Sequence, residues 1–239
     1  MIVKALPNML TLGNLFLGIV AMILAFNDYV DFAAITVIVG MLLDGLDGRV
    51  ARMLNAQSEF GKELDSLSDV ISFGVAPAFI MYVVALQEIS VVGIIITALF
   101  PICGACRLAR FNVQAGVPGY FIGLPITAAG GVLATLALFH EVFPTTILAL
   151  GMLMLAYLMV SRVKYPNFKK VGIPKSAYWI APIIIVGVIV IAIMFPNQIS
   201  KLVFVPLALY ALYGIKKNVE YFIRKVRKRE SQEEKKHYL

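Results

Sequence analysis

The chain has 239 residues, 60% of them apolar, and a mean hydropathy of +0.87, which excludes an ordinary soluble domain and puts it with integral membrane proteins. Its formal charge of +7 raises nucleic acid as a partner. The basic residues, however, flank apolar stretches instead of covering one soluble face, so the expected partners are anionic lipid head groups and not nucleic acid.

Apolar stretches follow one another near 9 to 26, 32 to 43, 70 to 86, 91 to 106, 124 to 139, 142 to 160, 176 to 195 and 202 to 215. Several fall short of the roughly 20 residues that a span needs, but the second and third reach that length once their aspartate-bearing ends are counted. The expected fold is all-α: a polytopic membrane helix bundle of about eight transmembrane helices. Internal Pro77, Pro101, Pro182 and Pro206 are compatible with helix here, because neighbouring helices satisfy the freed carbonyls. One integral domain covers 1–215, with its motif-bearing core over about 1–160 and further helices over about 176–215, and a basic tail occupies 216–239. Lys4 precedes an apolar run that continues for a full span without a small-residue cleavage site, so no cleavable signal is expected.

With eight spans, the connections at 27–31, 87–90, 140–144 and 196–201 share one side and hold only Lys201 of the 21 Lys and Arg. The positive-inside rule makes the opposite side cytoplasmic. Both termini, the 49–62 connection, the 162–175 loop and the tail lie there, which predicts residence in the cell membrane.

Within this greasy chain, Asp44, Asp47, Asp65 and Asp69 fall in the run DGLDGRVARMLNAQSEFGKELDSLSD. A carboxylate at membrane depth costs roughly 2.5 to 3.5 kcal/mol on insertion scales, so four together imply a use. Asp44 and Asp47 are spaced i, i+3 and Asp65 and Asp69 i, i+4, which puts each pair on one helix face. An antiparallel hairpin turning near residue 57 brings the pairs to matching depth, opening toward the cytoplasm. Four like charges there repel unless cations sit between them or some stay protonated, and two divalent metals are the natural occupancy. Gly48 and Ala51 keep the helix narrow beside the acids, and Arg52 adds a fork of donors suited to a pyrophosphate.

The spacing DxxDGxxARx8GxxxDxxxD is met by Asp44, Asp47, Gly48, Ala51, Arg52, Gly61, Asp65 and Asp69, and it resembles the CDP-alcohol phosphatidyltransferase family. The resemblance implies that Asp44, Asp47 and Asp65 bind Mg2+ or Mn2+, and that Asp69 is the general base and in some members a further ligand. It also implies that Asp44, Gly48, Ala51, Arg52, Ser58 and Gly61 contact the CDP moiety. PNMLT resembles the family's segment ahead of its first helix, which adds Asn8 and Thr11. PNMLTLGNLFLG, DSLSD, CRLARFNV and FIGLP are similar to the branch that takes serine as acceptor, and the likeness covers roughly the first 140 residues. It implies CDP-diacylglycerol and L-serine as substrates, CMP as product and a homodimer.

Arg107 and Arg110, i and i+3 at the cytoplasmic end of a helix beside Asn112, could pair with the carboxylate of a small anionic acceptor. Sister enzymes that accept glycerol 3-phosphate or an inositol-type alcohol are the near alternative. A cation transporter is the distant one, but it predicts acids spread across depth and internal repeats, neither of which is present. Cys103 and Cys106 form a CxxC with no second pair to complete a zinc site, which favours helix packing. His140 and His237 have no ligand partner nearby in sequence.

Overall fold

The computed structural model describes residues 2–113 and 120–166. The spans expected at 176–195 and 202–215, most of the 162–175 loop and the basic tail lie outside the described residues. α1 runs Ile2–Phe26 and α2 Val30–Met53, joined by a three-residue reversal in which Asp28 takes a positive φ. After a short connection, α3 (Glu59–Asp69) passes through a six-residue π-helical stretch, Val70–Val75, into α4 (Ala76–Val84). A 3-10 turn at Leu86–Ile89 leads into α5, Ser90–Val113. α6 (Ile126–Ala137) and α7 (Thr145–Val160) follow.

Three segments among the described residues are long and apolar enough to cross a membrane: Ala5–Phe26, Glu59–Val84 and Leu86–Val113. α2 matches them in length, but its apolar run is interrupted by the acids it carries. α6, at 12 residues, rises only about 18 Å and falls short of the hydrocarbon thickness. Ten of its residues are nevertheless buried, so α6 is apolar because other helices surround it. The sequence foresaw a full span over 124–139, and it is here that the two differ.

A second difference is a two-stranded antiparallel ribbon, β1 (Tyr120–Ile122) with β2 (Lys164–Pro166), among described residues that are otherwise mostly helical. It ties the segment before α6 to the segment after α7. Gly123 next to it has φ +79, and its N–H donates to the Val163 carbonyl at 2.8 Å.

Small residues let the helices approach. Among the described helices α1 and α2 pack most extensively, and Ala21, Ala25, Ala33 and Ala34 on these two helices are fully buried. A methyl group on Gly18 would come within 2.6 Å of Ser72 Oγ, and one on Gly130 would collide with the Phe73 backbone. These two contacts lock the π-helical stretch between α1 and α6. The opposite face of α1 leaves Leu6, Met9, Leu12, Phe16, Ile19, Ile23 and Phe26 open, an apolar stripe suited to a lipid environment. Gly130→Ala is expected to cost about 1–3 kcal/mol, because the obstruction is backbone and cannot rotate away. A lowered midpoint in thermal unfolding of the purified protein in detergent would show it, and an unchanged midpoint would contradict the packing described.

Candidate active site

The acids meet as their spacing requires. α2 and α3 form the hairpin, and one carboxylate oxygen each from Asp44, Asp47 and Asp65 lies within 4.8 Å of the others. Asp69 stands outside this trio. It is buried, shares a side-chain hydrogen bond with Asp44, and faces the charges of Asp44, Asp65 and Arg107. Three acids are therefore arranged to grip a common cation, while the fourth is set one helical turn further along. Hard carboxylate oxygens this close together could hold a divalent cation.

α1 closes the third side. Thr11 Oγ1, itself buried, donates to Asp47 Oδ2 at 2.7 Å and holds that carboxylate in place. A cavity of about 400 Å3 opens beside the acids, and its wall includes Asn8, Thr11, Asp47, Gly48, Ala51, Arg52, Ser58, Gly61 and Asp65. Of the residues expected to contact nucleotide, Asp44 alone is not in that wall. A second cavity, about 420 Å3 between α4 and α5, is lined by groups such as Val75, Phe79 and Pro101 without a charge.

The glycines have distinct local causes. A methyl on Gly48 would meet only Arg52 Nη1, at an ordinary 3.5 Å, so the absent side chain opens the cavity without relieving any clash. A methyl on Gly61 would sit 3.0 Å from Asn8 Oδ1 and 3.1 Å from Ser58 Oγ, so this glycine lets α1 close on the start of α3. Ser58 is the N-cap of α3 and accepts the Gly61 N–H at 3.0 Å, which leaves the helix amino end directed at the cavity. Such an end favours a phosphate group.

The three residues expected at the acceptor are separated by the structure. Arg107 is buried, directs its charge to Asp69 and lies 5.5 Å from the Phe111 ring centroid. Arg110 turns instead to the carboxyl end of α7, donating to the carbonyls of Val160 (3.0 Å), Met159 (3.2 Å) and Ser161 (3.4 Å). Asn112 Nδ2 donates to Ser66 Oγ at 3.0 Å and ties α5 to α3. Lys62 and Gln57 also line the cavity, although spacing had not singled them out. Lys62 was detectable, being i, i+3 with Asp65 on the cavity face. Gln57 lies in the irregular connection, where helical periodicity says nothing. Cys103 and Cys106 are free thiols, and His140 Nδ1 lies 2.9 Å from the Ala137 carbonyl near the end of α6.

This arrangement sets carboxylates that could hold a divalent metal on a helical hairpin, beside a cavity with a helix amino end and an arginine suited to phosphate. The profile of the CDP-alcohol phosphatidyltransferase family matches residues 4–161, and the chain belongs to that family. Among similar proteins is the CDP-diacylglycerol–serine O-phosphatidyltransferase of Helicobacter pylori strain J99, 39% identical over 217 residues that cover 87% of this chain and 89% of the relative. The protein of the same name from Bacillus subtilis strain 168 is 41% identical over 165 residues, 69% of this chain and 92% of its own. The archaetidylserine synthase of Methanothermobacter thermautotrophicus is 37% identical over 172 residues, 70% and 72% of the two chains.

Two substitutions separate folding from binding at this site. Ser58→Ala is expected to lower stability by about 1 kcal/mol through loss of the cap. Gly48→Val should leave the unfolding midpoint near that of the parent while abolishing CDP-lipid binding, because its side chain projects into open cavity. Equilibrium binding of a CDP-lipid, with thermal unfolding alongside, measures both.

Proposed function

We propose that this chain is a CDP-diacylglycerol–serine O-phosphatidyltransferase, which moves a phosphatidyl group from CDP-diacylglycerol to the hydroxyl of L-serine and releases CMP. The convergence of Asp44, Asp47 and Asp65, two of them in the wall of the cavity, carries this reading. The names of the bacterial relatives support serine as the acceptor.

Asp44, Asp47 and Asp65 would hold two Mg2+ or Mn2+ ions, which when bound neutralise the pyrophosphate and stabilise the departing CMP. Asn8, Thr11, Gly48, Ala51, Arg52 and Gly61 form the nucleotide side, and Lys62 adds a cation to the same wall. Ser58 contributes chiefly by capping α3 beside it. Asp69, buried and outside the acidic trio, takes the proton of the serine hydroxyl. The serine oxygen then attacks the phosphorus attached to the lipid, a new P–O bond forms, and the bond to the CMP phosphate breaks with its electron pair leaving on CMP. Arg107 is the better partner for the serine carboxylate, because the Arg110 guanidinium is engaged with the end of α7.

The membrane placement follows from charge. Arg49, Arg52 and Lys62 beside the acids put the carboxylates at the inner boundary of the cell membrane, where soluble CMP leaves and phosphatidylserine stays in the bilayer. The basic composition of 216–239 suits anionic head groups, and two chains associate as a homodimer.

Purified protein supplied with CDP-diacylglycerol and serine, glycerol 3-phosphate or inositol in turn should release CMP only with serine, and a chelator should stop it. Release with another acceptor alone would overturn the assignment. Asp69→Asn should abolish transfer and spare nucleotide binding. Arg107→Ala should raise the KM for serine about ten- to a hundredfold, the equivalent of one lost charged hydrogen bond of about 1.5–3 kcal/mol. Arg110→Ala should instead lower the unfolding midpoint, with the serine KM little changed.

A further inference from the structure

Asn14 belongs to none of the groups assigned above, yet it is fully buried, and neither Nδ2 nor Oδ1 of its amide has a hydrogen-bond partner. A buried amide in that condition is costly and calls for an explanation. Its surroundings supply one. One turn earlier on α1, Thr11 donates to Asp47. On α2, a methyl on Gly40 would stand 2.9 Å from Asn14 Oδ1, and Asp44 lies one turn beyond Gly40. On the π-helical stretch, Ser72 Oγ donates to the Asn14 carbonyl at 3.0 Å, and Asp69 lies one turn before Ser72. α2 and the rod formed by α3 and the π-helical stretch thus converge on Asn14, and each carries an acidic residue within a turn of its contact. Asp69 Oδ1 and Ser68 Oγ are likewise buried without hydrogen-bond partners.

We propose that Asn14 is a positioning residue of the metal site. When ions bind, its NH2 hydrogen-bonds the carboxylates of the Asp44 and Asp69 pair and holds them in the orientation that serves the ions. An amide suits this task, because it donates to a carboxylate without bringing a positive charge that would compete with a divalent cation. Gly40 and Gly18 keep the junction narrow and fix where the amide sits.

The inference rests on the proposed metal reading, so the test measures the two separately. Full-length protein in nanodiscs is titrated with Mn2+, free ion is followed by electron paramagnetic resonance, and thermal unfolding is recorded with and without the ion. Asn14→Leu removes both unpartnered atoms at similar volume, so its metal-free unfolding midpoint should equal or exceed that of the parent. Its Mn2+ dissociation constant should rise about 10- to 100-fold, the usual consequence of losing a group that orients a ligand. Asn14→Ser, which keeps a donor, should fall between the two. If Asn14→Leu does not fold, Asn14→Ala carries the same comparison. Parent-like Mn2+ affinity in the apolar variant, or a lower metal-free midpoint with unchanged affinity, overturns the role of Asn14 and leaves the metal site standing. Absence of Mn2+ binding by the parent protein overturns both.

Discussion

Mutual repulsion among carboxylates is the constraint around which the described helices are arranged. Three oxygens from Asp44, Asp47 and Asp65 share a space 4.8 Å across, with Asp69 hydrogen-bonded to Asp44 beside them. In a low-dielectric bundle this crowding is tolerable only if cations or protons are shared and the helices are held firmly enough that the acids cannot drift apart. The holding is visible at three levels. Thr11 fixes Asp47, the Ser58 cap fixes the start of α3, and close approaches at Gly18 and Gly61 bring α1 against both ends of the acid-bearing stretch.

The same constraint explains the two-faced character of α1. Its inward side buries Thr11, bonded to Asp47, and Asn14, while its outward side is a continuous apolar stripe from Leu6 to Phe26. A helix built this way lets one wall face hydrocarbon and the other face a polar cavity. A reaction that joins a water-soluble amino acid to a lipid-borne phosphate needs such a boundary. α6 shows the complementary solution: too short to span and buried on nearly all sides, it fills the space beneath the π-helical stretch and gives that stretch a floor.

Helical periodicity carries information over a few turns, and that is the range over which the site could be read in advance. The pairing of Asp44 and Asp47 with Asp65 and Asp69 followed from i, i+3 and i, i+4 spacing plus a short turn, and the structure brings them together. The division of labour between Arg107 and Arg110 could not be read this way. It depends on where the carboxyl end of α7 lies, about fifty residues away in sequence. That Ser58 also caps α3, its Oγ accepting the Gly61 N–H, could not be read from its place inside the motif. The ribbon of three-residue strands is too short to leave a period in the sequence, and hydropathy at 124–139 cannot distinguish a helix surrounded by protein from one surrounded by lipid.

The π-helical stretch at Val70–Val75 sets the phase between two halves of one long helix. An α-helix advances by about 100° per residue, and a π-turn absorbs an extra residue without breaking the rod. Upstream, the rod turns Asp65 and Asp69 toward α2; downstream, it turns Ala76, Ile80 and Met81 into the core. The stretch therefore works as a vernier between the chemical and the packing faces. Excising a single residue there would leave a helix of ordinary pitch whose acids and core side chains no longer point the right way together.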